Sequence, residues 1–556
     1  MPRGLKFASL NRWTLLSLAA CGVVAVPTLG VLGSVFLPGG EEWGHLVETR
    51  LPDYVRNSLA LVLIVGFSAA VIGTATAWLV TVFDFPGRRV LHVLLLLPLA
   101  VPAYLSAYAL TDLLQFSGPV QTALREAFGW GRRDYWFPEV RSLGGAATIL
   151  TFSLYPYVYL AARAAFAEQS SCALEVARTL GRGPWRGFFG LALPMARPSI
   201  AAGTALVAME TLADFGAVDH CAVDTFATGV YRTWRSLESP TTAAQLSSVL
   251  IGIVALVVTL ELLARRRARY FQLVTRRRPV RPHRLGPLPG LAAAAVCAVP
   301  VAIGFALPAG IFVHMAFTTG DGRAWEVVRD FGGNTLVLAA AACVITGGLA
   351  LLVSYAGRLG GGTVNAAAAR IASLGYALPG PVVAVGLLIP LTWVDHRLNA
   401  VTESAFGWQP GLVLTGSVAA LLLGYQTRFL AVALGFVEAG FGRIRPSLDD
   451  AARTLGSTRL RMVLRVHLPL LTPSLFAALL LVFVDTAKEL PVTLMLHPFN
   501  FETLAVRVYH LAGDERLEES AFGALVIIAI GLLPVVVLSR LIDRRRSAEG
   551  PAGPPA

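Results

Sequence analysis

The chain has 556 residues, of which 55% are hydrophobic and only 14% charged, with mean hydropathy +0.65. A soluble domain carries about 25% charged residues, so this composition excludes an ordinary soluble fold and indicates an integral membrane protein. The net charge of +12 would suit nucleic acid in a soluble protein, but in a membrane protein the distribution of Arg and Lys along the chain carries the information; no nucleic-acid partner is expected.

Crossing the hydrocarbon core as helix takes about 20 apolar residues. Runs of that kind occur at 14–37, 57–81, 90–115, 142–166, 198–219, 242–264, 288–317, 334–357, 371–394, 411–437, 472–495 and 519–542. None alternates polar and apolar residues as barrel strands do. The predicted fold class is all-α, a polytopic membrane protein of about twelve transmembrane helices. The first run contains Leu18-Ala-Ala-Cys21, the form of a lipoprotein cleavage box, but the apolar stretch continues to Leu37. That is too far for a signal ending at Cys21, and an uncleaved first span is expected. Pro98, Pro102, Pro156, Pro379 and Pro381 fall within spans and are expected to interrupt them, as neighbouring helices or a cavity permit. A basic stretch from Arg265 to Arg284 separates the sixth and seventh runs, and 547–556 is a Pro/Gly-rich tail, expected to be disordered.

The runs form two copies of a six-span unit. Asn57-Ser-Leu matches Asn334-Thr-Leu, Ala100-Val-Pro102 matches Ala377-Leu-Pro379, Glu168 matches Glu438 and Tyr231 matches Tyr509. The predicted organisation is a first half at 1–264, a basic linker at 265–287 and a second half at 288–546. An even number of spans per half gives both copies one orientation, a parallel repeat with a pathway expected between the halves. Segments on the side of the N-terminus are rich in Arg, whereas those on the opposite side are net acidic. The positive-inside rule then places both termini and the linker in the cytoplasm, with membrane lipid around the spans.

A polar loop is also duplicated, near 168–197 and 438–473. The first copy reads Glu175-Val-Ala-Arg-Thr-Leu-Gly181 and reaches Leu193-Pro194; the second reads Asp450-Ala-Ala-Arg-Thr-Leu-Gly456 and reaches Leu468-Pro469. Ala, Arg and Leu favour helix, and Gly181 and Gly456 can take the left-handed conformation that ends one. Pro194 and Pro469 suit the start of the next span. Small Ala177 and Ala452 would admit a close partner. Two copies with the same acid, Gly and Leu-Pro spacing, on the cytoplasmic side, predict a duplicated docking surface.

Charges also lie within the spans. Glu210 and Asp214 in the first half correspond to Asp485 and Glu489 in the second, each pair four residues apart on one helix face. Intramembrane charges are costly and normally face a cavity or a partner. Lys488 is placed to neutralise one of them. Four carboxylates on a translocation pathway would favour a hard cation and repel oxyanions. Asp219, His220, Cys221 and Asp224 stand at a span boundary, but their irregular spacing makes no firm metal site. The five cysteines are scattered without CxxC, so no disulfide framework is expected. Lysine occurs only at Lys6 and Lys488, neither after glycine, which excludes a phosphate-binding P-loop. The chain is therefore expected to be no enzyme and to hold no cofactor.

The loop pattern resembles the signature of permease subunits of bacterial ATP-binding-cassette importers, with Val176, Asp450, Leu191 and Val466 as small departures from it. The resemblance covers essentially the whole chain as a fused pair of permease halves. It implies that Glu175 to Gly181 and Asp450 to Gly456 are ATPase-coupling loops, with Leu193, Pro194, Leu468 and Pro469 completing them. It also implies an inner-membrane location, two copies of a cytoplasmic ATPase that bind ATP and Mg, and a periplasmic solute-binding protein. Met209-Glu-Thr-Leu-Ala-Asp-Phe-Gly-Ala-Val218 and Thr225-Phe-Ala-Thr-Gly-Val-Tyr231 look like the fused iron(III) permeases. Thiamine, polyamine or phosphonate importers of the same architecture remain alternatives, as does an ion-gradient secondary transporter.

Overall fold

The computed structural model describes residues 12–38, 41–168, 184–266, 282–318, 323–359 and 362–548. It is all-α apart from a two-residue parallel pairing of Phe83–Asp84 with His283–Arg284 among the described residues. Among the described residues, eleven helices are long and apolar enough to cross a membrane, or twelve when the bent pair Arg88–Ala100 and Ala103–Phe128 is taken as one span.

That pair meets at 93°, and Pro102 stands in the bend with φ −56° and ψ 142°. Pro379 has nearly the same angles, φ −56° and ψ 145°, immediately before the helix Gly380–Phe406. An extended proline that cannot donate an N–H ends the preceding helical turn, so the matched Ala-x-Pro of the two halves is a matched break. Pro98 lies in the short turn Leu97–Ala100 just before the first break. Pro156 and Pro381 do not interrupt their helices as expected: Pro156 sits inside the continuous helix Leu143–Glu168. Pro381 lies in the first turn of its helix, where a missing N–H leaves nothing unpaired.

Two spans are shorter than their apolar runs. The fifth ends at Ala213 and is followed by a short helix, Gly216–His220. The eleventh ends at Ala487 and is followed by Pro491–Leu496. The hydrophobicity runs on across both breaks, so composition alone did not reveal them.

Contacts divide the chain into two compact units that do not follow the halves of the repeat. In one unit the first span, Arg12–Ser34, packs against Gly380–Phe406 and Gly362–Ser373 of the second half. Glycines allow the approach: a Cβ on Gly386 would lie 2.3 Å from Pro27 O, and one on Gly30 would lie 2.6 Å from Gly386 O. Ser17 donates to Asn365 Oδ1 at 2.7 Å, Thr427 to Val24 O at 3.1 Å and Ser248 to Val31 O at 2.8 Å. In the other unit the seventh run and the last span join helices of the first half. A Cβ on Gly304 would stand 2.4 Å from Phe152 O, and one on Gly531 would stand 2.2 Å from Ala100 O. The leading span of each half is thus packed with the other half's sequence.

The matched Asn-Ser/Thr pairs do the same job twice. Asn57 Nδ2 donates to Asp224 O at 2.9 Å, and Asn334 Nδ2 to Glu502 O at 3.0 Å. Ser58 accepts from Phe226 N–H, and Thr335 from Leu504 N–H. Each pair therefore ties the start of a late helix, Phe226–Ser236 or Leu504–Gly513, to an early span. Leaving a buried acceptor unpaired costs about 1–3 kcal/mol, and these carbonyls are half-buried, so Asn57→Ala and Asn334→Ala should each lower the thermal midpoint of the solubilised chain. A midpoint unchanged in both variants would contradict this reading.

Candidate functional site

Glu175, Ala177 and Gly181 of the first repeated loop lie outside the described residues. The second loop is described throughout. A nine-residue helix, Pro446–Thr454, is followed by Leu455 and then by Gly456 at φ +75°. Gly456 N–H bonds to Arg453 O at 3.0 Å and Ser457 N–H to Ala452 O at 3.0 Å, the hydrogen-bond closure of a glycine-terminated helix. The left-handed glycine expected from the sequence is present.

The helix has a distinct inner face. Asp449 and Ala452, three residues apart, are buried, whereas Leu448, Asp450 and Arg453 are exposed. Ala452 is thus not offered to a partner as expected; it is on the inward face and packs within this chain. Asp450 forms an exposed 3.7 Å pair with Arg453. The large hydrophobic residue most presented by the loop is Leu455, 86% exposed. It stands one residue before the left-handed Gly456, at the end of the repeated helix. Leu455 and its repeat counterpart Leu180 were not singled out from the sequence, where a Leu beside a Gly looks like ordinary helix.

Beneath the helix is a buried ionic cluster. Arg358, the last residue of Arg323–Arg358, donates from Nε to Asp449 Oδ2 at 2.7 Å and from a terminal nitrogen to Oδ1 at 3.2 Å. It also donates to Phe441 O and Ile444 O, both at 3.0 Å. His467 Nε2 lies 2.9 Å from Asp449 Oδ1. Burial raises the Asp449 carboxyl, but the hydrogen bonds from Arg358 and His467 outweigh it and hold the group below its ordinary value. The His467 ring is enclosed by Tyr355 and Phe441 at centroid distances of 5.6 and 5.4 Å.

The Leu-Pro pair has a structural reason. Before each pair the helix widens into a π-turn, Phe188–Ala192 or Val463–His467. Leu193 N–H reaches back to Phe188 O, and Leu468 N–H to Val463 O, each five residues away. Pro194 and Pro469 cannot donate, and the strain of a missing ladder bond is absorbed by the wider turn. The prolines therefore do not open their spans; the second span runs unbroken from Arg459 to Ala487.

The four intramembrane carboxylates lie in different surroundings. Asp214 Oδ1 accepts from Ala217 and Val218 N–H at 3.0 and 3.2 Å, so it caps the short helix after the break. Glu489 does the same for its own short helix, accepting from Val492 N–H at 3.1 Å and Thr493 N–H at 3.0 Å. Glu489 is also paired with Arg428 at 2.8 Å, the two side chains being 2% and 16% exposed. Asp485 pairs with Lys488 at 2.9 Å. Arg428 was missed in the sequence because it stands alone in the apolar run 411–437. By ungapped matching within the spans, the first half has Val158 and Ala213 where the second has Arg428 and Lys488. The carboxylates of the second half are thus locally neutralised by cations that the first half lacks at those positions. Glu210 lies on the last turns of Leu193–Ala213.

The boundary cluster does not converge. His220 packs its ring on Tyr108 at 4.7 Å, Asp224 pairs with Arg50 at 3.6 Å, and Cys221 is buried. Among the described residues no group of three or more His, Cys, Asp or Glu is placed to hold a metal ion.

Comparison with known proteins agrees with this duplicated architecture. A family model described as "Binding-protein-dependent transport system inner membrane component" matches twice, at residues 63–269 and 347–548. An Fe(3+)-transport system permease protein of Haemophilus influenzae is 24% identical over 89% of this chain and 91% of its own length. A ferric transport system permease protein of Actinobacillus pleuropneumoniae is 23% identical over 93% of this chain and 75% of its own. A molybdate/tungstate transport system permease protein of Thermococcus kodakarensis is 28% identical over 37% of this chain and 77% of its own. The chain belongs to the family of binding-protein-dependent transport system inner membrane components, and is a multi-pass permease of the ATP-binding-cassette importer type with two permease copies fused in one polypeptide.

Proposed function

We propose that this permease carries ferric iron from an external binding protein into the cytoplasm, driven by two copies of a separate ATPase that hold ATP and Mg. The two repeated loops, from Glu175 to Pro194 and from Asp450 to Pro469, are the ATPase contacts. Both termini and both loops lie in the cytoplasm, as the Arg distribution requires. Family membership sets aside the ion-gradient transporter.

The observation that carries the ferric reading is the alignment of both fused halves with ferric permeases across most of the chain. Glu210 and Asp214 supply the oxygen donors that suit a hard cation. A second reading, an oxyanion, draws on Arg428 and Lys488, which cancel two of the four carboxylates. Arg428 Nε is buried without a hydrogen-bond partner among the described residues, a donor that an oxyanion could use. It also draws on the likeness to the molybdate/tungstate permease.

The test is uptake of radiolabelled ferric iron in cells lacking this chain and in complemented cells, with molybdate and thiamine in parallel. Ferric uptake restored by the intact gene alone supports the proposal. Restoration of molybdate or thiamine uptake, with iron unchanged, would overturn it.

A further inference from the structure

We propose that Arg358 and His467 are positioning residues that clamp Asp449 and so hold the helix Pro446–Thr454 in its docking pose. This inference rests on the ATPase-docking reading of the second loop.

Three separate elements converge on one carboxylate. Arg358 ends a long span, Asp449 lies in the first turn of the loop helix, and His467 closes the π-turn that leads into the next span. The Asp449 and Arg358 side chains are 11% and 14% exposed, and that of His467 is 0% exposed. A fork of two N–H donors on one carboxylate fixes direction as well as distance. The same guanidinium holds Phe441 O and Ile444 O, which lie on the chain entering the loop helix. Tyr355 OH donates to Arg459 O at 3.2 Å on the chain leaving it. Entry, inner face and exit of the loop helix are all tied to the membrane spans, while Leu455, Asp450 and Arg453 remain on the outer surface.

The matched positions of the first half do not carry these three residues. Matching the repeats without gaps, Arg358 corresponds to Thr81, Asp449 to Leu174 and His467 to Ala192. Thr81 spends its hydroxyl on its own helix, bonding Ala77 O at 2.7 Å. Trp78, at the position of Tyr355, packs instead against Phe166 and Phe188 at centroid distances of 5.2 and 4.9 Å. The two contacts that the fused chain offers its ATPase copies therefore differ in sequence at the clamp positions. A force applied to Leu455 is passed through Asp449 to two spans at once.

The test uses the full chain, tagged and purified from its own membranes with the ATPase it brings down. Arg358→Met and His467→Leu should each weaken binding of the ATPase copy at the second loop by roughly tenfold, the effect of about 1.4 kcal/mol, so that bound ATPase falls from two copies per chain towards one, with the chain itself present at the normal level. His467→Gln should retain binding, because its amide can still donate to Asp449, whereas Leu fills the apolar pocket better. A purely packing role for His467 predicts the opposite order. Thr81→Met should have no effect. Leu455→Asp tests the underlying docking reading. If Leu455→Asp loses one of the two ATPase copies while Arg358→Met and His467→Leu keep both, the clamp is refuted and docking stands. If Leu455→Asp keeps both copies too, docking at this loop fails. Should Arg358→Met not accumulate, the order of the two His467 variants decides alone.

Discussion

The double variant Gly181→Val/Gly456→Val is expected to hydrolyse ATP while importing solute at least about tenfold more slowly than the parent, the effect of a backbone penalty of about 1–3 kcal/mol at the left-handed Gly456. Gly456 has φ +75°, and a Cβ there would meet nothing within 4 Å. The penalty therefore comes from the backbone alone, and a β-branched residue is the worst choice for a left-handed position. Relief of that strain would unwind the helix end that presents Leu455 and loosen the seat of Pro446–Thr454 on Arg358 and His467. Gly456→Asn is the matched control, since Asn tolerates the left-handed region, and it should retain most of the uptake. Solute moved per ATP hydrolysed, measured in the same vesicles, separates the outcomes. A normal ratio in the double Val variant would contradict the role given to these glycines.

Arg428→Met should be the most destabilising single change within the spans. It leaves Glu489, 2% exposed, without its cation, and breaking a buried pair in this way costs about 3–5 kcal/mol. The chain should fall to low levels in the membrane and unfold at a markedly lower temperature. Arg428→Met/Glu489→Gln should recover part of the loss, because no unpaired charge remains and the amide oxygen can still accept from one of Val492 and Thr493 N–H. Lys488→Met should cost little by comparison, within about 1 kcal/mol, since its partner is a neighbour on the same helical turn and both groups are partly exposed. Equal thermal midpoints for Arg428→Met and Lys488→Met would show that Glu489 does not depend on Arg428.

The spans and the repeat were legible because hydrophobic length and motif spacing are one-dimensional signals. Asn57 and Asn334 stood out in the same way, and the structure shows both making one hydrogen bond to a late loop. Features that depend on long-range approach were not legible. Nothing local in Arg12–Ser34 indicates that Gly30 faces Gly386, some 350 residues on. The breaks at Asp214 and Glu489 were hidden by continuous apolarity, so their carboxylates read as pathway charges when their hydrogen bonds also cap short helices. One repeat also went unread: Ala127-Phe-Gly-Trp130 and Ala405-Phe-Gly-Trp408, in which Gly129 and Gly407 both take φ +66° and end a helix. Its four-residue length gave it little weight beside the longer loops. In the docking loop the spacing pointed to the correct segment, while the outward residue, Leu455, and the clamp beneath it required three elements to be seen together.

If this chain works by lending two loops to a separate ATPase, then the tagged protein purified from its own membranes will carry an ATP-hydrolysing subunit at two copies per chain. The measurement is the molar ratio and ATPase rate of that preparation, compared with the Leu455→Asp variant. The predicted result is a ratio of two in the parent and about one in the variant, in which the first loop alone still binds. A chain that purifies without ATPase yet sustains uptake, or one whose bound ATPase is indifferent to Leu455, would contradict it.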